Sequence, residues 1–433
     1  MSRSVSAMSL TLLIVVNAGA EVRIDQGPIL LHEKIEQQWG GHTFAYLLEG
    51  ERFLFWSASE LSPNPQCHSV LVGRYPKSKG FEPAVTRIPL DGENVKNKTQ
   101  PLLVRSKDGH VHVFVGVGHG TSNPNYAPGE IRYYRSHEPE DISELVDRTE
   151  LIPRVRPYTD FHLRMNVGIS RDGERMVLVV LAISQDGSVP FNTPVVFLGE
   201  KKGSDFVFAP PKAYAPAMGL FYPQVAVTES GTVVVGQVWD HQPKVTTRLM
   251  VLDAEGTLTH REDLPADSDG MHVCYDLRPA SNDDRGRLIL YYNKYPKGGT
   301  DCRHELWEFL PATKSLRLLR SVPTAEGMAN AGKWLPTARS QSLLLNNPSM
   351  GRFQLWEGNL LGEGAIQRKP LLDTDPATMN FVGSAYTFVP NTLQGSVLSN
   401  GGTWFATDYI PRDKPMDARG PASLMLFHLA FSP

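Results

Sequence analysis

Cysteine is the scarcest reactive residue in this chain: three occur, Cys67, Cys274 and Cys302. Their spacing fits no zinc motif, which sets aside cysteine-based metal binding. An exported protein with three cysteines holds one disulfide and one free thiol, or none. Cys274 and Cys302 fall in the same repeat and make the natural pair, while isolated buried thiols remain the alternative. Charge of one sign is also in short supply. The formal net charge is -3 and no Lys/Arg-rich run occurs, so the chain has no basic footprint for nucleic acid. No phosphate-binding glycine loop and no Gly-x-Ser-x-Gly is found, which leaves nucleotide and serine-triad chemistry unsupported. Helical periodicity is nearly missing, with Glu140–Val146 as one short turn.

Long apolar runs are lacking as well. Met8–Val16 is too short to span a bilayer, and nothing later approaches the roughly 18 apolar residues of a membrane helix. Arg3 before this run and Asn17-Ala18-Gly19-Ala20 after it complete a secretory signal over residues 1–20. A buried N-terminal strand is the competing reading. Residues 21–433 then form a soluble, secreted or periplasmic domain, and with no Cys behind the apolar core a lipid anchor is not expected.

What the chain has in quantity is β-forming residues and turn markers. Hydrophobic residues make up 41% of 433 positions, enough for a sizeable core, and 37 Gly with 33 Pro punctuate it. The segment Gln100–Arg135 reads as strand (Pro101–Arg105), Ser-Lys-Asp-Gly turn, strand (His110–Val117), loop from Gly118-His119-Gly120, and strand (Ile131–Arg135). The unit recurs. His42–Tyr75 precedes it, and Met165–Leu198 repeats it around Ser170-Arg-Asp-Gly173. Tyr222–Leu252, His272–Phe309, Ala331–Trp356 and Phe381–Phe431 follow, while Val22–Trp39 takes no assignment.

A β-only unit repeated at about 50 to 63 residues is the signature of a β-propeller. Seven copies predict an all-β, seven-bladed β-propeller in one domain, a monomer whose blades bury each other's faces. Tandem all-β domains are the alternative, and no linker between residues 40 and 430 favours them.

Propellers bind ligands where the starts of the innermost strands converge. Counting back eleven positions from the turn glycines Gly109, Gly173 and Gly231 gives Lys98, His162 and Leu220, with Tyr222 two residues further on. His272 and Lys333 hold similar positions, Arg164 lies beside His162, and loops after second strands add His119, Trp239-Asp240-His241 and Tyr291-Tyr292-Asn293-Lys294. Such a rim is rich in His, Tyr, Trp, Lys and Arg and poor in carboxylates. It suits an acidic polysaccharide or oligosaccharide: aromatic rings stack on sugars, cations neutralise a carboxylate or sulfate, and His and Tyr exchange protons. Each histidine taken alone is more often a satisfied loop residue than a ligand.

Lys98–Ser143, with Asp-Gly-x-x-His leading to Gly-His and then Ile-Arg-Tyr-Tyr-Arg-Ser, and Phe221-Tyr-Pro-Gln224 followed by Gly231, carry a resemblance. Together these two stretches resemble the BNR-repeat seven-bladed propellers that include ulvan-lyase-like polysaccharide lyases and rhamnosidase-like relatives. The match covers about 80 residues in two blades. It implies β-elimination at a uronate, with His119 and Tyr222 as the proton-transfer residues. The family's other histidine falls at Lys98 and its arginine at Val238, so two of the four positions depart from the pattern. Lys98, Arg164 or His162 would then supply the cation. A glycoside hydrolase on the same scaffold and a non-catalytic glycan-binding propeller are the alternatives; Asp160, Asp240 and Asp276 lie near rim positions, but nothing selects a hydrolytic pair. No cofactor is required by this chemistry. Structural calcium could bind Asp267-Ser-Asp269-Gly270 or Asn282-Asp-Asp-Arg-Gly286, although acidic hairpin residues usually serve only the turn.

Overall fold

The computed structural model describes residues 22–36, 46–60, 68–90, 101–117, 130–153, 158–184, 193–214, 220–239, 245–264, 270–279, 286–296, 303–323, 333–336, 341–347, 352–358, 364–373, 379–382, 402–411 and 421–431. The expected signal segment, Cys67, Cys302 and most of both calcium-like turns lie outside these residues.

Strands follow one another almost without interruption. β1 (Val22–Glu36) leads to β2 (Tyr46–Glu49), β3 (Phe53–Glu60), β4 (His68–Pro76) and β5 (Ala84–Leu90). β6 (Pro101–Arg105), β7 (Val111–Val117), β8 (Glu130–Glu138) and β9 (Asp141–Asp147) come next, then a 3-10 turn at Thr149–Leu151. β10 (Tyr158–Ile169), β11 (Arg175–Ser184), β12 (Thr193–Lys202), β13 (Asp205–Phe208) and β14 (Lys212–Ala213) follow. β15 (Leu220–Thr228), β16 (Gly231–Trp239), β17 (Val245–Leu252) and β18 (Leu258–Asp263) precede β19 (Gly270–Pro279), β20 (Leu288–Pro296), β21 (Arg303–Leu310) and β22 (Ser315–Pro323). The chain ends with β23 (Lys333–Pro336), β24 (Gln341–Asn347), β25 (Arg352–Gly358), β26 (Gln367–Asp373), β27 (Met379–Val382), β28 (Gly402–Pro411) and β29 (Pro421–Phe431). No α-helix occurs among the described residues, and none of their helices is long and apolar enough to cross a membrane.

Among the described residues the sheets number five rather than the expected seven. β6–β9, β10–β14 and β23–β26 are separate sheets, and two further sheets hold eight strands each. Each larger sheet is two four-stranded antiparallel runs joined by one bridging pair: Ile35↔Glu60 links β1 to β3, and Val245↔Met271 links β17 to β19. A single pair leaves no trace in a hydrophobic pattern, so the sequence could not show it. The unassigned opening segment is β1, which runs antiparallel to β29 from Val22↔Phe431 to Glu36↔Pro421 and ties the two ends of the chain together. Glu140–Val146 is not helical. Pro139 and Glu140 form a turn and β9 continues from it.

Leading strands of successive runs pack in order, β2 on β6, β6 on β10, β10 on β15, β15 on β19 and β19 on β23, which is the arrangement of a β-propeller. Burial grades outward from there. Residues Met176–Leu181 of β11 and Val233–Val235 of β16 are buried without alternation, as strands covered on both faces should be, whereas β18 and β22 are half exposed. One apolar cluster runs through the seams from Leu102 and Phe114 to Phe197, Leu249, Leu290 and Phe309.

The Ser-x-Asp-Gly turns are structural. Ser106 Oγ and Ser170 Oγ donate to Asp108 and Asp172, and the amides of Gly109 and Gly173 donate 2.9 Å bonds to the serine carbonyls. Both glycines have positive φ, +88° and +79°. The turns also seat on each other: a Cβ at Gly173 would stand 2.9 Å from Cβ of Lys107. Glu140, buried with φ 53°, reaches back to accept the amides of Glu51 and Arg52 and pairs with Arg105 Nε at 3.1 Å, clamping the first run to the second.

Candidate functional site

In each antiparallel run the start of the leading strand lies beside the end of the second. Tyr158 faces Ser184, Leu220 faces Val238 and Gly270 faces Pro296. Toward this end lie the backbone positions of His162 on β10, Tyr222 on β15, Trp239 at the last position of β16, and His272 opposite Lys294 on β19 and β20. Tyr292 pairs with Cys274, and Lys333 opens β23 opposite Leu344. His162, Tyr222, Trp239, His272 and Lys333 thus lie toward this end of their strands, whereas Arg164 and Tyr292 lie midway along β10 and β20. Lys98, His119 and His241 lie outside the described residues.

Two expectations about loops are corrected. Trp239 belongs to β16 and pairs with Val245, and Tyr291-Tyr292-Asn293-Lys294 lies inside β20, paired on one side with β19 and on the other with β21. Tyr291 is fully buried, and its hydroxyl meets His304 Nδ1 at 2.6 Å. It is a core residue. The polar Asn-Lys ending imitates a loop, but both strand neighbours supply ladder hydrogen bonds.

The leading strands carry a feature that composition did not announce. In β10 His162 pairs with Leu181 and Asn166 with Val179, so Leu163, Arg164 and Met165 stand opposite Val180 alone. In β15 Phe221 pairs with Gln237 and Gln224 with Val235, so Tyr222 and Pro223 stand opposite Gly236. In β19 Tyr275 is the extra residue between Cys274 and Asp276. Bulges of this kind bend a strand and re-aim its side chains, and they concentrate beside functional sites. The two bulges are neighbours across the seam, since Asn166, two residues after Arg164, reaches the carbonyl of Pro223 within the second.

The bulges are also coupled. Asn166, 6% exposed, donates from Nδ2 to the carbonyl of Pro223 at 2.9 Å and to Gln224 Oε1 at 3.3 Å, crossing from β10 to β15. On the other side Met165 is buried against β7, where a Cβ added at Gly116 would stand 3.2 Å from its Cε. The β10 bulge is thus fixed from both neighbouring sheets. Asn166 escaped the sequence analysis because a lone asparagine in a strand has no motif; its place two residues after Arg164 was the available signal.

A second polar assembly lies elsewhere and has no access to solvent. His112 is fully buried, with Nε2 3.0 Å from Ser106 Oγ and Nδ1 2.8 Å from Tyr133 Oη. Burial, aided by His110, Arg135 and Lys201 against the opposing Asp108, lowers its pKa to about 3. Burial likewise raises Tyr133 above the ordinary phenol value. The Ser-His contact looks like a nucleophile and base, but no substrate can reach it. It is a packing device, and β20 and β21 repeat it with Tyr291 and His304, the latter also lowered to about 3 by burial and by Arg368. Among the described residues no cluster of His, Cys, Asp and Glu could hold a metal ion.

No protein-family profile matches the chain, and no curated protein matches it. Solved structures do. A PL25 ulvan lyase bound to -[GlcA(1-4)Rha3S]- superposes with a TM-score of 0.60 at 14% identity over 93% of this chain and 96% of that one. Another structure of a PL25 ulvan lyase gives 0.61 at 14% identity with the same coverage. Polysaccharide lyase Uly1 gives 0.54 at 10% identity, covering 95% of this chain and all of that one. At such identities the likeness establishes the fold, a β-propeller shared along nearly the whole length.

Proposed function

We propose that this chain is a secreted or periplasmic carbohydrate-active enzyme that cleaves a uronate-containing polysaccharide by β-elimination. The supporting observation is the end-to-end likeness to ulvan lyases, one of them holding a glucuronate-rhamnose sulfate ligand, combined with His162, Tyr222, Trp239, His272 and Lys333 toward the starts of the leading strands or beside them and Arg164 in the β10 bulge. The blade count belongs to the same reading. Each eight-stranded sheet, held together by one bridging pair, works as two blades, which with the three smaller sheets makes seven.

The chemistry is a proton transfer at each end of one bond. A base takes the proton alpha to the uronate carboxylate, those electrons form the carbon–carbon double bond, the bond to the leaving glycosidic oxygen breaks, and an acid protonates that oxygen. A cation beside the carboxylate steadies the enolate between these events. His119 and Tyr222 share the two proton transfers, with the aromatic rim stacking the neighbouring sugars. No cofactor enters the step.

Incubation with a panel of uronate polysaccharides tests this reading. Elimination produces the ultraviolet absorbance of an unsaturated uronate; new reducing ends without that absorbance mean hydrolysis. Lys98 in place of a histidine and Val238 in place of an arginine favour a second reading, a glycan-binding propeller without turnover. Binding with no new ends of either kind would establish it.

A further inference from the structure

The eliminative reading needs a cation at the carboxylate, and the position across from Leu220 that would carry it in the resembling lyases is Val238. We infer that Arg164, set into the β10 bulge that is tied across the seam to the β15 bulge of Tyr222, is the group that neutralises the substrate carboxylate, and that Asn166 is the positioning residue that keeps the two bulges together. This inference rests on the proposed function.

Three observations converge on it. Arg164 stands among three residues opposite a single partner, Val180, a placement at which a regular strand would not put it. Asn166, two residues on, spans the seam and donates to the carbonyl of Pro223, the residue directly after Tyr222. The backbone at Arg164 is thereby referenced to the backbone at Tyr222 through one buried bond, with Met165 fixing the opposite side against β7. Arginine suits the role because its planar fork meets a carboxylate with two parallel hydrogen bonds and holds its charge at any working pH. A buried amide bridging two strands is a rigid support, since breaking it leaves a carbonyl without its partner in a dry seam.

The account predicts a replacement between blades. If the arginine lost from the end of β16 has been supplanted by one on β10, then returning an arginine to position 238 should make Arg164 dispensable. The experiment uses the full chain and the most active uronate polysaccharide of the panel, with circular dichroism and a thermal melt of each variant to exclude unfolding. Arg164→Ala should lower kcat/KM by about 10²- to 10³-fold, the range for removing one oxyanion-stabilising donor, and Arg164→Lys should recover part of it. Arg164→Ala with Val238→Arg should regain at least about tenfold over Arg164→Ala alone. Asn166→Ala should lower kcat more than it raises KM, and its effect should shrink in the Arg164→Ala background, since a positioning residue has nothing left to position. An Asn166 that only stabilises the fold would show the same effect in both backgrounds. Wild-type elimination that survives Arg164→Ala within threefold overturns the inference and leaves the proposed function standing. A folded wild-type protein that eliminates none of the panel overturns both.

Discussion

Acidification from pH 7 to pH 5 is expected to remove about 4 kcal/mol of folding stability through two buried histidines. His112 and His304 are both held near pKa 3 by burial, against about 6.5 in an unfolded chain. Between these values the unfolded chain takes up a proton at each imidazole that the folded chain does not. Stability from these groups is therefore complete above pH 6.5 and lost progressively as pH falls toward 3. Each group contributes about 1.4 kcal/mol per pH unit once well below its unfolded pKa, or about 2 kcal/mol over the interval from pH 7 to 5. His32, also lowered by burial, adds to the slope in the same window, while the lowered Asp108, Asp141 and Asp172 act in that direction only below the ordinary carboxylate range. The assay is urea unfolding at half-unit steps of pH, for the wild type and for His112→Asn and His304→Asn. Each variant should lose about 1.4 kcal/mol per pH unit of the slope at its steepest, beyond any constant loss from the altered packing. A wild-type stability that is flat from pH 7 to 5, or slopes that both variants leave unchanged, would refute the claim that these rings stay neutral inside the fold.

Three further outcomes are expected. Glu140→Ala withdraws the acceptor from two backbone amides and the partner from Arg105, and should cost about 3 kcal/mol in urea unfolding, with Glu140→Gln costing less. Gly73→Ala would drive a Cβ into the indole of Trp56 and should lower stability by about 3 kcal/mol, measured as a fall in Tm. His119→Ala and Tyr222→Phe should each reduce turnover by about two orders of magnitude with the melting temperature unchanged, and wild-type rates in the double variant would remove both from the mechanism.

Much of the local architecture was readable because hairpins are local. The strand Pro101–Arg105 appears with the bounds its composition predicts, and Ser106-Lys-Asp-Gly109 and Ser170-Arg-Asp-Gly173 form the turns that their glycines require. What failed was set by distant partners. β1 contains a glycine, a proline and scattered charges, and it is a strand because β29, some four hundred residues away in sequence, supplies the other half of its ladder. The joining of runs into five sheets depends on single pairs, and Tyr291 is buried because His304 gives its hydroxyl a partner. For the site, residue type brought His162, Arg164, Tyr222 and His272 to notice, and the strand register puts Arg164 and Tyr222 in bulges of adjacent leading strands. The bulges were beyond composition, because an extra residue changes the pairing and not the alphabet.

The most direct measurement is the mass of the oligosaccharides released from a uronate polysaccharide by the purified protein. Elimination adds no water across the cleaved bond, so the account predicts products whose new non-reducing end is one water lighter than that of a hydrolysed chain. Products carrying the full water at both new ends, or a polymer left intact under conditions in which it binds, would contradict it.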